Sequence, residues 1–231
     1  LRLQLRIRID RGYTGRRSLP VELALITSRT LPPGNPSPSM TARRYNVERM
    51  ALTQITWRDV QQLPDDGNRY EAIEGELYVT PAPSYRHQKI SQRLEQALLR
   101  SLEEPGHGSV VDAPFGVEFP ATGEGVQPDI LFVSRALRGI IGDAGVRGAP
   151  DLVVEILSPT TAARDCGIKL RLYERQGVGE YWIVDPEAEE IEVWTFAEGP
   201  RAERFRDPLP VRLEGEAVGE IDRADIFRPK A

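Results

Sequence analysis

Aliphatic side chains fill both faces of the short run Asp151–Leu157, DLVVEIL, which Pro150 and Ser158-Pro159 bound. Unbroken apolar character over so few residues predicts a buried β-strand. Glu155 interrupts it. An unpaired carboxylate in such a strand is expensive, so it must be paired, protonated or metal-bound. The pattern then changes period. A helix is predicted from about Thr161 to Gln176, with Gly177 as its C-terminal stop. At about 100° per residue, Ala162, Cys166, Leu170 and Tyr173 form the apolar stripe, and Lys169 falls inside it. Arg164, Arg171, Glu174 and Arg175 form the exposed arc. The plain reading is a buried ion pair of Lys169 with Glu155, or with Asp165 one turn before it. Buried pairs often add little stability, so the two charges favour a site.

Val110–Pro120 and Gln127–Ser134 read as two strands joined by the loop ATGEG. Asp129 stands just before the apolar run Ile130–Val133. If that run pairs antiparallel with Asp151–Leu157, Asp129 lies beside Glu155 on strands about 4.8 Å apart, and the two could share one cation. RYEAIEGELYV reads as a hairpin turning at Glu74-Gly75. Glu71, Ile73, Glu76 and Tyr78 then share one side, and Tyr70, Ala72, Leu77 and Val79 the other. Glu71 and Glu76 are either solvated or extra ligands for a metal or a water. Thr56–Asp59 resembles a capping box that opens a short helix. A longer helix is predicted for Tyr85–Leu102, with Ile90, Leu94, Ala97 and Leu98 as its stripe and His87 on the same face. Gly139–Gly148 is a glycine-rich loop without the spacing of a nucleotide cradle. EYWIVD and EIEVWTF form two strands turning at Asp185-Pro186, with Trp182 and Trp194 in the core. RAERFRD leads to a last segment, ending at IFRPK, that is expected to pair on the sheet edge. The sum is an α/β fold, a mixed sheet flanked by helices, in one domain.

Composition narrows the chemistry. Hydrophobic residues make up 40% of the chain and charged residues 28%, as in an ordinary globular protein. One cysteine excludes a disulfide framework and a multi-cysteine zinc site, two histidines argue against a His-based metal site, and an oxygen-ligand metal fits the remaining inventory better. No apolar run approaches the roughly 18 residues of a membrane helix, and the chain reads as cytoplasmic with no membrane partner. The net charge of −5 is split: residues 1–49 hold ten arginines against three acids (Asp10, Glu22, Glu48), and the remainder holds 20 basic and 32 acidic residues. An acidic body binds phosphate poorly, which argues against a nucleic-acid enzyme. Residues 1–49 run into TLPPGNPSPS, begin with Leu and precede Met50. They are expected to lie outside the fold, as a disordered leader or an over-extended gene start. The sharper reading is a basic arm that holds nucleic acid for the acidic body.

Asp129 after Pro128, Glu155 in VVEILSP, Lys169 on the next helix and the closing EYWIVDP resemble the Uma2 family of endonucleases, within the PD-(D/E)XK nuclease superfamily. The resemblance covers about Thr56–Phe227 and assigns residues 50–231 to a restriction-endonuclease-like domain. It implies a Mg²⁺- or Mn²⁺-dependent endonuclease, with nucleic acid, DNA in the first place, as partner, and it is compatible with a homodimer. Asp129 and Glu155 would hold the metal, and Lys169 would orient the attacking water or stabilise charge on phosphorus. His87, on the first core helix, and Glu71 or Glu76, in the EGEL hairpin, would support them. One departure from the superfamily pattern stands out: Leu157 occupies the usual lysine position two residues after Glu155. As in Uma2 proteins, the lysine would have moved to the helix as Lys169. A non-cleaving binding or regulatory module on the same fold is the alternative. The acidic body favours it, and the intact Asp129–Glu155–Lys169 set opposes it.

Overall fold

The structure, a computed structural model, describes residues 7–9, 54–205 and 207–228. The strand predicted around Glu155 is β10 (Leu152–Ile156), and all five of its residues are buried. It pairs antiparallel with β7 (Ile130–Ser134) and parallel with β11 (Glu180–Asp185). On the outer sides lie β4 (Gly108–Asp112), beside β7, and β12 (Glu190–Thr195) with β13 (Arg201–Phe205). The six-stranded order is β13-β12-β11-β10-β7-β4.

Both faces of this sheet are covered, which explains the continuous apolar run. Ile130, Phe132, Val154 and Trp182 pack under α2 (Tyr85–Leu98) through Ile90, Leu94 and Leu98. Leu131, Val133, Val153 and Ile183 face the other way, against a second sheet. That sheet has the order β1-β3-β2-β6-β5-β9-β8. Its members are β1 (Ile7–Ile9), β2 (Arg69–Ile73), β3 (Glu76–Thr80), β5 (Gly116–Phe119), β6 (Glu124–Val126), β8 (Ile141–Gly142) and β9 (Gly145–Arg147). β1 runs parallel to β3, Ile7 opposite Leu77. The expectation for the rest of residues 1–49 lies outside the described residues.

The hairpin register is the predicted one: Ile73 opposite Glu76 and Glu71 opposite Tyr78, with Glu74 (φ 52°) and Gly75 (φ 75°) left-handed in the turn. The box also forms: the Thr56 hydroxyl donates to Asp59 Oδ2 at 2.7 Å and its amide at 3.1 Å, opening α1 (Trp57–Val60). Trp57 then packs flat on β6, where a Cβ on Gly125 would stand 2.3 Å from the indole.

Four expectations differ from the structure. Val110–Pro120 is two strands, β4 and β5, in different sheets, because Pro114 breaks the run. The strand expected at Gln127–Ser134 starts only at Ile130, as β7, and part of the expected loop ATGEG instead enters a short strand, β6, in the other sheet, with Pro128 between the two. The Gly139–Gly148 loop contains the small hairpin β8–β9 at a sheet edge. RAERF itself takes the other sheet's edge as β13, while the last segment forms a separate ribbon, β14 (Leu209–Leu213) and β15 (Glu216–Ile221), followed by a turn of helix (Arg223–Ile226). Leu209, Val211, Ile221 and Ile226 join the core beneath α2, and burying that apolar face is what the ribbon gains. No helix among the described residues is long and apolar enough to cross a membrane.

Candidate active site

The helix after β10 closes one end of the gap between the sheets. It consists of α3 (Ala162–Arg164), a wide π-turn (Asp165–Lys169) and α4 (Leu170–Gln176), and Gly177 ends it in the left-handed conformation. Its buried face carries Thr161, Arg164, Asp165, Lys169, Leu172 and Tyr173. Cys166 is exposed, and Arg164, expected outside, is buried. The predicted stripe holds at Lys169 and Tyr173, and the exposed arc at Arg171, Glu174 and Arg175; the prediction fails at Cys166 and Arg164, because the inner face is largely polar where it meets the strand acids.

Asp129 and Glu155 lie beside each other across the β7–β10 pair. The Asp129 amide donates to Val154 O at 3.2 Å, and Asp129 Oδ2 accepts the Ile156 amide at 2.8 Å. Asp129 Oδ1 lies 2.7 Å from Arg69 Nη1, and Oδ2 lies 3.1 Å from His87 Nε2. Arg69 also donates to Gln127 O at 3.2 Å. Burial would raise the Asp129 carboxyl. The His87 hydrogen bond, the Arg69 charge and the Ile156 amide outweigh burial and hold it well below the usual carboxylate range.

Glu155 has a different environment. Its Oε1 accepts Lys169 Nζ at 2.7 Å and the Tyr173 hydroxyl at 2.8 Å. Lys169 Nζ is also 2.8 Å from Glu71 Oε1 and 3.8 Å from Asp165 Oδ1. Arg164 Nη1 lies 3.6 Å from Glu71 Oε2, and Arg164 Nε lies 3.6 Å from Asp165 Oδ1. Four buried carboxylates (Glu71, Asp129, Glu155, Asp165) therefore face the permanent cations Arg69, Arg164 and Lys169. The surplus negative charge appears at Glu155. Burial pushes its carboxyl up to about 8, aided by Asp165, Asp129 and Glu71 and opposed by Lys169. Burial also raises Asp165. In Glu71 the Lys169 and Arg164 charges overcome burial and hold the carboxyl below its ordinary value.

Asp129, Glu155, His87, Arg69 and Arg164 line a cleft of about 200 Å³, together with the hydroxyl-bearing Ser84, Ser158, Thr160 and Thr161. The structure thus brings together Asp129, Glu155, Lys169, His87 and Glu71. Glu76 stands apart: it is half-buried at the start of β3, 3.4 Å from the Tyr78 hydroxyl, and does not line the cleft. Arg69 and Tyr173 were not anticipated as site residues. Strand parity offered a signal for Arg69, since residues 69, 71 and 73 share a side.

The donor set suits a hard cation. Among the described residues the hydrogen bonds of Glu155 fall on Oε1 and leave Oε2, and Asp129 Oδ1 carries one bond where an oxygen can accept two. No cluster of three or more His, Cys, Asp or Glu side chains capable of holding a metal is found among the described residues. Two carboxylates with water completing the shell is the binding mode Mg²⁺ adopts, and the surplus negative charge fits it.

A mixed sheet with acids on neighbouring antiparallel strands, backed by a helical lysine, places this protein among restriction-endonuclease-like folds. The Uma2 family model, described as "Putative restriction endonuclease", matches residues 57–221, and the chain belongs to that family. Among solved structures, a protein from Anabaena variabilis described as a "putative nuclease belonging to DUF820" superposes with a TM-score of 0.62 at 20% identity, covering 75% of this chain and 97% of the other. At that identity the likeness is one of fold. No curated protein matches the sequence.

Proposed function

We propose that this protein is a Mg²⁺- or Mn²⁺-dependent endonuclease that hydrolyses phosphodiester bonds in DNA. The observation that carries the reading is the pairing of Asp129 and Glu155 on the floor of one cleft, with Lys169 bonded to Glu155 at 2.7 Å. Family membership supports the reaction class. A divalent cation held by Asp129 and Glu155 would supply Lewis acidity toward a phosphate oxygen and a lowered pKa for the attacking water. The chain's own residues prepare for this. His87, Arg69 and the Ile156 amide keep Asp129 ionised and fixed. Lys169 and Tyr173 fix the Glu155 carboxylate from behind. Lys169 is 1% exposed and does not line the cleft, so its charge acts on the reacting centre through Glu155. Ser84, Ser158 and Thr160 offer hydroxyl donors to phosphate oxygens around the cleft.

The test is cleavage of supercoiled plasmid DNA in Mg²⁺, Mn²⁺ or EDTA by the wild type and by Asp129→Asn. Metal-dependent nicking that the variant loses is the expected result. Nicking that persists in EDTA, or in folded Asp129→Asn, removes the proposal. The acidic body and the engagement of Asp129 by Arg69 and His87 favour one second reading, a non-cleaving module. It predicts DNA binding without cleavage in any metal.

A further inference from the structure

The cleft does not end at the acids. Arg69, His87 and Asp129 form a wall shared with a second lobe of about 240 Å³. On this wall the buried His87 Nδ1 has no hydrogen-bond partner among the described residues. The second lobe is lined by Asp65, Asn68, Gln88, Asp112 and Gln127, with Pro83 and Pro114 adding apolar surface. The side chains of Gln88, Asp112 and Gln127 make no hydrogen bond among the described residues.

This lining selects against phosphate. Its one Lys or Arg side chain is Arg69, which is already paired with Asp129, and the carboxylates Asp65 and Asp112 repel an anion. What it offers instead is hydrogen-bond acceptors, the three primary amides Asn68, Gln88 and Gln127, and flat proline surface. A carboxylate accepts well from the exocyclic amine of a base, and an amide from Gln or Asn reads a base edge in two directions. The lobe is open to solvent along Asp65, Gln88 and Asp112, is too small for a duplex, and has room for a single base removed from its stack.

We infer that the second lobe is a nucleobase subsite, which takes an unpaired base carrying an exocyclic amine next to the phosphate that a cation held by Asp129 and Glu155 would engage. The inference rests on the nucleic-acid substrate proposed above and narrows it to strands with an unpaired base at the cut. Asp112 and Gln127 are its reading residues. Thymine, which has no exocyclic amine, is the disfavoured base.

The experiment is fluorescence anisotropy of the full chain with labelled single-stranded oligodeoxycytidine, oligodeoxyadenosine and oligodeoxythymidine, in Ca²⁺ so that binding is read without turnover. The expected result is about tenfold tighter binding of the cytidine and adenosine strands than of the thymidine strand. Asp112→Asn and Gln127→Ala should each shrink that ratio while leaving thymidine-strand affinity unchanged. Equal affinity for the three strands overturns the base subsite and leaves the nuclease reading standing. A ratio preserved in both variants overturns it as well. Failure to bind any strand removes both readings together.

Discussion

Glu155→Gln should change how stability depends on pH, and the structure supplies the sign and the scale. In the folded chain burial pushes the Glu155 carboxyl from an ordinary 4.5 up to about 8. A carboxyl whose folded value is raised binds its proton more tightly when folded. Its contribution is therefore complete below about pH 4.5 and is lost as pH climbs toward 8. The slope is about 1.4 kcal/mol per pH unit for a single group, so roughly 4 kcal/mol separates pH 5 from pH 8 as an upper bound. Asp129 and Glu71 are shifted the other way, so their contributions are present above the ordinary carboxylate range and are lost only in stronger acid. They do not mask the Glu155 window. Gln cannot titrate, yet its carbonyl oxygen can still accept from Lys169 and Tyr173. Urea unfolding in EDTA at a series of pH values from about 5 to 8 is the assay. The wild type should lose stability relative to Glu155→Gln as pH rises, and the two curves should converge at the acid end apart from a constant offset. Saturating Mg²⁺ should flatten the wild-type curve, because a bound cation favours the ionised carboxylate. A wild-type-minus-variant difference that is flat, or that rises with pH, would falsify the assignment of the surplus charge to Glu155.

Calorimetric titration with Mn²⁺ should show binding that Asp129→Asn and Glu155→Gln each weaken severely, and unchanged binding in both ends the two-carboxylate metal site. Lys169→Met should cost about 3–5 kcal/mol by chemical denaturation, since it strands Glu71 and Glu155 without their shared cation. In the fraction that folds, DNA cleavage should be lost. Adding Leu157→Lys should restore part of the rate, because residues 155 and 157 point to one side of the strand. Full activity in folded Lys169→Met would remove the lysine from the mechanism. Gly125→Ala should lower the melting temperature, as its Cβ would stand 2.3 Å from the Trp57 ring, while an unchanged melt would show that the indole can move aside.

Where the sequence was readable, the reason was local. A Glu74-Gly75 turn fixes the register of the residues beside it, so the sides of Glu71 and Tyr78 followed from counting. An apolar run that alternates toward two cores reads as continuous, and β10 is buried on both faces. The misreadings share another cause. Pro114 and Pro128 each mark a place where the chain leaves one sheet for the other, and alternation on either side hides the change. The inner face of the helix from Ala162 to Gln176 was misread at Arg164 and Cys166 because hydrophobicity is the wrong guide to a face that carries Asp165 and meets Glu71 and Glu155. Arg164, Asp165 and Lys169 are buried there by charge pairing.

Those two prolines also explain how the site is assembled. Asp129 follows Pro128, at the point where the chain has left β6 of one sheet and is entering β7 of the other. Its amide joins the β10 ladder through Val154, while its carboxylate reaches Arg69 at the start of β2 in the opposite sheet. Glu155 is tied in the same way to the helix through Lys169, which also holds Glu71 of β2. Each acid thus belongs to one sheet and is held by a cation that engages the other. Losing either cation should loosen the packing between the sheets as well as the chemistry. The buried charges, which contribute little to stability as pairs, instead fix the separation at which Asp129 and Glu155 face one cleft.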